Sequence, residues 1–282
     1  MFPEFPEFLL RRMLKRYFEE DLSLGEVTGV LKTETRANII SGGKGVIAGV
    51  EVARTAFEMF NVDIVYSIGD GDQVEPKDLI MQVEGNSKDI MMAERTILNI
   101  LMRMSGIATT TSKIVEKAKK HNPPIIVAAT RKNTPGFRFL EKMAVRIGGG
   151  ATHRLSLGDC VLVKDTHVKI AGGVEQAIDI AKKADFTKKI EVEVSSSQDL
   201  LLAVEKGVDI VMLDNMSPEE IRQAVQLLQE KGLRDKITIE ASGGINMENM
   251  EDYASTGVDI ISSSFITLYS PPLDLSLEIV DR

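Results

Sequence analysis

The sequence contains no tryptophan and only one cysteine among its 282 residues. A single thiol cannot form an internal disulfide, so a secreted scaffold held together by disulfides is excluded. Cys160 begins the apolar run CVLV, where a buried core thiol is the ordinary interpretation and a reactive nucleophile is the alternative. The near absence of cysteine favours a reducing, intracellular setting.

The N-terminal segment, residues 1–21, has no uninterrupted apolar core, because prolines, acids and bases alternate along it. This composition is typical neither of a secretory signal nor of a membrane span. The formal net charge is −8, which argues against a general nucleic-acid surface, since affinity for phosphate backbones depends on Lys and Arg. We therefore expect a soluble cytoplasmic protein that binds neither nucleic acid nor membrane.

Basic residues are nevertheless concentrated in one stretch of this acidic chain. Between Arg131 and Lys169 there are eight bases and three acids. A cationic region within an acidic protein indicates a small polyanionic ligand.

The glycine-rich segment 41–45 lacks the spacing of a Walker loop, so we interpret it as a tight turn between strands.

Six short apolar runs recur between Ile125 and Phe265, and each is followed by a polar or charged cluster. Segments of helical period separate the runs, which predicts βα units on a parallel sheet. We therefore expect an α/β fold with six parallel strands in a barrel or an incomplete barrel. Loops after the strand ends converge on one face of such folds, so the polar clusters should surround one active site.

The first part of the chain reads differently and predicts a separate α+β domain. Residues 1–110 combine an amphipathic helix with alternating runs and glycine-rich turns, as in an antiparallel or mixed sheet. A long helical pattern covers residues 93–120, with Gly106 as a candidate break between two helices. Residues 111–269 then form the predicted barrel domain, and residues 270–282 are expected to return to the first domain.

Five cations follow predicted strands. Arg131 and Lys132 precede a proline-glycine turn, His153 and Arg154 follow three glycines, and Lys164 ends the run VLV. A guanidinium can hold a carboxylate through two parallel hydrogen bonds, and an ammonium acts as a point charge. These features favour a carboxylate-bearing ligand; a solvated basic turn and a flexible glycine turn are the alternatives.

Carboxylates at two neighbouring strands complete the middle of the predicted site. Glu191 and Glu193 alternate with valines, so both lie on one face of a strand, with Glu191 deeper. Buried carboxylates need partners, and Arg131 and Lys164 are candidates. Together with Asp214, Glu193 can coordinate hydroxyl groups or a metal ion, although a structural ion pair is the alternative.

A metal site built on His153 and His167 is a further alternative. Neither a nearby cysteine nor a His-x-x-x-His spacing supports it.

On the late strands, Ser242, Gly243 and Gly244 precede a helix expected to begin near Asn246, and three serines, 262–264, end the last strand. Backbone N–H groups at such turns suit a phosphate, and ordinary helix caps are the alternative. The pattern as a whole indicates a site for a phosphorylated sugar beside an acidic small molecule.

Several motifs, in order along the chain, resemble one known family. They are AERTILNILMRMSGIAT, TRKNTPGFRFLEKMAVRIGGGATHRLSL, VLVKDTH, IEVEV, VMLDN, EASGGI and VDIIS. The chain is identified by them as a member of the quinolinate phosphoribosyltransferase family, also called nicotinate-nucleotide pyrophosphorylase. The resemblance implies an N-terminal α/β sandwich, an incomplete six-stranded α/β barrel, and a homodimer that shares its active site.

The resemblance also implies an activity, cofactors and residue roles. The reaction would transfer a phosphoribosyl group from phosphoribosyl pyrophosphate to quinolinate with decarboxylation, in NAD biosynthesis, using Mg²⁺ and no organic cofactor. The implied quinolinate ligands are Arg95 from the partner subunit, Arg131, Lys132, His153, Arg154 and Lys164. The implied ligands of the ribose hydroxyls and Mg²⁺ are Glu193 and Asp214, which with Lys132 form the catalytic set. The implied phosphate ligands are Ser242, Gly243, Gly244, Ser263 and Ser264.

The chain departs from the family pattern at four positions, which are Thr152, Thr166, Ser264 and Leu268. None of these departures removes a principal cation. Three alternatives remain open on the same fold: a nicotinate phosphoribosyltransferase that does not decarboxylate, a protein associated with molybdate transport, and a non-catalytic metabolite sensor.

Overall fold

The computed structural model describes residues 6–25 and 33–280, so parts of the predicted first domain and of the C-terminal return lie outside the described residues. The described chain divides into two compact units. The first contains the described residues up to 110, together with 146–149 and 270–280, and the second contains 111–145 and 150–269. Compactness does not show that either unit folds alone, so the domain boundaries drawn from the sequence stay a prediction.

The helices and strands alternate along the chain. The helices are α1 (Glu7–Asp21), α2 (Val50–Glu58), α3 (Ser87–His121), α4 (Arg138–Ile147), α5 (Asp165–Ala171), α6 (Val174–Ala184), α7 (Ser197–Glu205), α8 (Pro218–Glu230), α9 (Met250–Ala254) and α10 (Phe265–Leu268). The strands are β1 (Glu34–Ser41), β2 (Gly45–Val46), β3 (Asp63–Ser67), β4 (Gln73–Val74), β5 (Leu79–Asn86), β6 (Ile126–Ala129), β7 (Val161–Val163), β8 (Ile190–Val194), β9 (Ile210–Asp214), β10 (Thr238–Ser242), β11 (Ile260–Ser263) and β12 (Leu275–Ile279).

The first unit contains a four-stranded antiparallel sheet in the order β12-β1-β5-β3. Strand β1 buries Ala37, Ile39 and Ser41 and turns the residues between them outward, which is the two-residue period of a strand with one covered face. The segment between β1 and β2 is a tight turn, as the sequence predicted for residues 41–45.

Helix α3 is continuous, so the predicted break at Gly106 is wrong. The glycine serves a close approach instead, because a Cβ at this position would collide with the backbone oxygen of Pro271. The same segment is fixed by the Leu273 N–H, which donates to the Met102 carbonyl at 3.0 Å. Despite the length of α3, the described residues include no helix apolar enough to cross a bilayer.

The second unit contains the six predicted parallel strands, in the order β6-β11-β10-β9-β8-β7. Ala151 pairs with Ala128 on the free side of β6, where its N–H donates to the Val127 carbonyl at 2.8 Å. The six strands therefore have the order of an α/β barrel, with β6 and β7 at the two ends of the sheet. In the described residues β6 and β7 do not pair with each other, so the barrel is not closed. This arrangement confirms the predicted fold class, a mixed α/β structure with an incomplete six-stranded barrel.

The helices of the barrel follow the predicted periods over α6, α7 and α8. Helix α8 begins with a capping box, in which Ser217 and Glu220 bond each other's backbone N–H groups. The helix expected near Asn246 is an exception, because it begins only at Met250. The side chains of Asn246 and Asn249 accept hydrogen bonds from nearby backbone N–H groups, which replaces the first helical turn by an irregular one.

Candidate active site

A cavity of about 870 Å³ lies in the second unit, where the loops after the parallel strands meet. Twelve of the thirteen residues predicted as ligands line it. They are Arg131, Lys132, His153, Arg154, Lys164, Glu193, Asp214, Ser242, Gly243, Gly244, Ser263 and Ser264. The predicted convergence of these loops is therefore confirmed, whereas the chemical role of each residue stays a prediction.

Two arginines present buried nitrogen atoms that lack partners. The Nε atoms of Arg131 and Arg154 have no hydrogen-bond acceptor among the described residues, although both are inaccessible. A buried donor without an acceptor is costly, so the arrangement favours a bound anion. A second cavity, of about 400 Å³, also contains both arginines and Lys164, so these three cations border both spaces.

The acidic side of the cavity is formed by Glu193 and Asp214. The Lys164 ammonium donates to Glu193 at 2.8 Å, as the sequence predicted for this pair. Asp214 accepts from the Asn215 side chain at 2.6 Å. Burial and the nearby Glu193 raise the pKa of Asp214 above its ordinary value. Carboxylate oxygen atoms that line the cavity at two adjacent strand ends suit sugar hydroxyl groups or a hard cation such as Mg²⁺.

The predicted phosphate turn depends on glycine. Gly243 has φ +99°, and a Cβ there would lie 2.7 Å from the backbone nitrogen of Asn215. That nitrogen in turn donates to the Ser242 carbonyl at 2.8 Å. Ser263 is buried, and its hydroxyl donates to the Ile245 carbonyl at 2.5 Å, which ties the last two loops together. Its hydroxyl is thus engaged in fixing the turn.

His153 is held by two buried glutamates, of which Glu240 carried no signal in the sequence beyond its place on a strand. The Nε2 atom lies 3.2 Å from Glu240 and 3.6 Å from Glu191. Burial lowers the pKa of His153, but hydrogen bonds to the glutamates outweigh it and raise the pKa to about 9. The Arg154 N–H donates to Nδ1 at 2.7 Å. A proton on Nδ1 would break that bond, so this contact acts against the upward shift of the pKa, and in the neutral ring it fixes the Nε2–H tautomer.

The same contacts bear on metal binding. His153, Glu191 and Glu240 have ligand atoms within 4.8 Å of one another. Because Nδ1 accepts a backbone N–H, a neutral ring carries its proton on Nε2, the atom that faces the glutamates, and cannot offer a lone pair there. His167 lies outside this group, and its Nδ1 accepts the Lys164 N–H at 3.0 Å. The geometry therefore gives no support to a metal site on His153 and His167.

Arg95 is the one predicted ligand that does not line the described cavity. It lies on α3 in the first unit, its side chain is 60% exposed, and its guanidinium is 3.6 Å from Glu94. The role implied for it, reaching into the site of a partner subunit, stays a prediction.

Cys160 is half-buried, and its thiol donates to the Lys189 carbonyl at 3.2 Å. Burial and the charge of Glu191 raise the pKa of this thiol from 9.0 to about 11. At pH 8 we expect iodoacetamide to alkylate Cys160 roughly 100-fold more slowly in the folded than in the urea-unfolded protein, because only the thiolate reacts. Mass spectrometry of timed samples measures both rates, and equal rates would contradict the pKa shift and favour a reactive cysteine.

Two family models match consecutive parts of the chain. The C-terminal domain model of quinolinate phosphoribosyl transferase matches residues 107–278, and the N-terminal domain model matches residues 23–105. A protein of Archaeoglobus fulgidus, named probable nicotinate-nucleotide pyrophosphorylase (carboxylating), is 48% identical over 256 residues, which is 91% of this chain and 98% of that protein. The Homo sapiens nicotinate-nucleotide pyrophosphorylase (carboxylating) is 39% identical over 246 residues, 87% of this chain and 82% of the human one.

Solved structures give the same result. The nicotinate-nucleotide pyrophosphorylase of Francisella tularensis superposes with a TM-score of 0.91 at 35% identity, covering 98% of both chains. Human nicotinic acid phosphoribosyltransferase has a TM-score of 0.64 at 11% identity, covering 97% of this chain and 74% of that one, so it shares the fold alone. With both domain models matched in order and relatives of 39% and 48% identity covered over 82% and 98% of their length, the chain belongs to the quinolinate phosphoribosyltransferase family.

Proposed function

We propose that this protein is a pentosyltransferase that joins phosphoribosyl pyrophosphate and quinolinate, with loss of one carboxylate, to give nicotinate mononucleotide, pyrophosphate and carbon dioxide. The observation that carries the proposal is the pair of buried, unpartnered Nε atoms on Arg131 and Arg154 beside the cavity. Family membership and the names of the relatives support the same reaction.

The cations fit a dicarboxylate better than a monocarboxylate. Arg131, Lys132, Arg154 and Lys164 all line one cavity, and of these Lys164 is paired with Glu193. Lys132 and Lys164 are exposed, but Arg131 and Arg154 are only partly accessible and each has a buried Nε atom. A buried charge without a counter-charge is costly, so a single carboxylate would leave one of the two arginines uncompensated. Two adjacent carboxylates on a pyridine ring would satisfy both arginines, each through its planar fork of N–H groups. The two arginines therefore favour quinolinate over nicotinate.

The acids suit the opposite end of the reaction. Displacement of pyrophosphate by the pyridine nitrogen builds positive charge on the ribose ring, and Glu193 and Asp214 lie at adjacent strand ends, where they can stabilise it. Both also offer carboxylate oxygens that would hold a Mg²⁺ ion brought with phosphoribosyl pyrophosphate, and such an ion would neutralise the leaving pyrophosphate. The glycine turn at 243–244 would receive the 5-phosphate through backbone N–H groups. No side-chain nucleophile is required.

Decarboxylation requires that the pyridine ring is held in a fixed orientation and that positive charge lies near the ring carbon that loses its carboxylate. When the bond to the departing carboxylate breaks, its electron pair stays on the ring carbon beside the positively charged pyridinium nitrogen, and carbon dioxide leaves. Arginine side chains fixed around the ring hold it in the required orientation and place positive charge near the developing carbanion. Proton transfer to the ring carbon then completes the product.

We also propose a homodimer, in which Arg95 of one subunit contributes to the site of the other, working in the cytoplasm. The Arg95 side chain is 60% exposed, and among residues 6–25 and 33–280 its guanidinium has only Glu94 nearby, at 3.6 Å, which leaves it available.

The proposal is tested by assaying the purified chain with phosphoribosyl pyrophosphate and Mg²⁺, with quinolinate and nicotinate supplied in separate reactions. We expect mononucleotide from quinolinate and none from nicotinate, because nicotinate leaves cations uncompensated. Product from nicotinate alone would show that the protein is a nicotinate phosphoribosyltransferase. Binding of quinolinate without turnover would favour a non-catalytic metabolite sensor.

A further inference from the structure

Lys142 is completely buried although its side chain ends in an ammonium group. It lies on α4 and donates to three backbone carbonyls, those of Ala129 at 2.5 Å, Thr130 at 2.7 Å and Thr152 at 2.5 Å. An ammonium has three N–H groups, so each N–H group has one carbonyl acceptor and none is left without a partner. A buried ammonium whose donors are all satisfied by backbone carbonyls indicates that Lys142 holds the backbone in a defined arrangement.

The three carbonyls belong to two separate segments of the chain. Ala129 is the last residue of strand β6, and Thr130 follows it, directly before Arg131 and Lys132. Thr152 stands directly before His153 and Arg154 on the other segment. One ammonium group thus joins the two backbones from which four of the five cavity cations project.

Neighbouring side chains of α4 hold the same two segments. Glu141, also completely buried, accepts from the Thr134 N–H at 3.1 Å and from the Thr134 hydroxyl at 2.9 Å. Arg138 donates to the Leu155 carbonyl at 3.1 Å. Arg138 also donates to the Asn133 side chain at 3.4 Å and so contacts both segments. Lys142 differs in that all its bonds go to backbone carbonyls, including those of Thr130 and Thr152, which directly precede the cations.

The charge state of Lys142 reflects two opposed influences. Burial lowers its pKa to about 7, helped by Arg138 and Arg131 and opposed by Glu141. The three carbonyls act in the other direction, because a neutral amine has two N–H groups and would leave one carbonyl facing a lone pair. The contact geometry corresponds to the ammonium form.

We propose that Lys142 is a positioning residue, which fixes the spacing between the segment carrying Arg131 and Lys132 and the segment carrying His153 and Arg154, so that both arginines meet one substrate. The proposal rests on the function proposed above, in which those cations bind the two carboxylates of quinolinate. We call the three hydrogen bonds of Lys142 the clamp. The clamp uses the carbonyl of Thr152 and not its side chain, so the proposal also accounts for the tolerance of threonine at this position.

The test compares Lys142→Met, whose unbranched side chain is one atom shorter and has no donors, with a matched control, Leu140→Ala. Leu140 is a completely buried residue of the same helix that lines neither cavity. Hydrogen exchange by mass spectrometry is measured on both variants without substrate, and KM and kcat are measured for each substrate. Thermal melting establishes that each variant is folded.

For Lys142→Met we expect faster exchange at residues 129–134 and 151–155 and a KM for quinolinate raised roughly 10-fold or more, since ångström-scale misplacement of binding groups is costly. The KM for phosphoribosyl pyrophosphate should change less than about 2-fold, because its acids and glycine turn lie on other strands. Leu140→Ala should lower the melting temperature while leaving the KM for quinolinate near that of the unaltered protein. If Lys142→Met does not fold, Lys142→Gln gives the same comparison, because a side-chain amide has two N–H groups and cannot donate to all three carbonyls.

Two results would overturn the proposal. One is unchanged exchange in both segments; the other is an equal rise in KM for Lys142→Met and the control, which would make the effect one of general stability. Failure of the proposed function appears differently, as absence of quinolinate turnover in the unaltered protein, and the exchange measurement still tests the clamp in that case.

Discussion

Replacing Arg154 by methionine should lower kcat/KM for quinolinate by a factor on the order of 100 to 5,000, which corresponds to the roughly 3–5 kcal/mol lost when one partner of a buried ion pair is removed. The loss should appear mainly as a higher KM, because the guanidinium holds a carboxylate both before and during the reaction. Steady-state kinetics with each substrate varied in turn measures the effect.

Arg154 is expected to be sensitive because its environment is arranged before substrate arrives. Its Nε is buried without an acceptor, and its backbone N–H is fixed by His153. Arg154→Lys is the matched control: it retains the charge, loses the planar fork, and should have an intermediate KM. A normal KM for quinolinate in Arg154→Met would remove this residue from the binding site and weaken the dicarboxylate argument.

Replacing Asp214 by asparagine should reduce kcat roughly 100-fold, the magnitude typical of losing one group that stabilises transition-state charge. The KM for quinolinate should change only a few-fold, because a carboxylate does not bind the pyridine carboxylates, although Lys132 and Lys164 lie close enough for their charges to act against the rise in the pKa of Asp214 that burial and Glu193 cause. The amide has nearly the same shape as the carboxylate, so the change is mainly one of charge.

Asp165→Asn is the control for this variant. Asp165 lines the same cavity, but its carboxylate is well exposed and paired with Lys169 at 3.1 Å. We expect its kcat to stay within about 2-fold of the unaltered protein, since exposed ion pairs contribute little. Equal losses in the two variants would indicate a general effect of cavity charge and contradict a specific role of Asp214 at the anomeric carbon.

The elements that carry this site were predictable from the sequence for a simple reason. The ends of parallel strands meet on one face, so Arg131 after β6, Lys164 after β7 and Asp214 at the end of β9 had to approach one another once the six runs were recognised as strands. The depth order of Glu191 and Glu193 followed from the same geometry, and the exposed fractions of their side chains are 1% and 10%.

The supporting groups could not be predicted in this way. Lys142 has the helical setting of an exposed lysine, and only the folded backbone shows three carbonyls around its ammonium. Glu240 sits on a buried strand, and nothing local shows that His153, 87 residues earlier, would face it. Gly106 was misread because a glycine inside a helix has two opposite causes, a break or a close approach, and the neighbour that decides between them is distant in sequence.

The most direct test of the proposed reaction uses quinolinate labelled with ¹³C in its 2-carboxylate, together with phosphoribosyl pyrophosphate, Mg²⁺ and the purified chain. We expect one labelled carbon dioxide for each nicotinate mononucleotide formed, and no carbon dioxide when nicotinate replaces quinolinate. Mononucleotide that retains the label, or mononucleotide formed from nicotinate but not from quinolinate, would contradict the account.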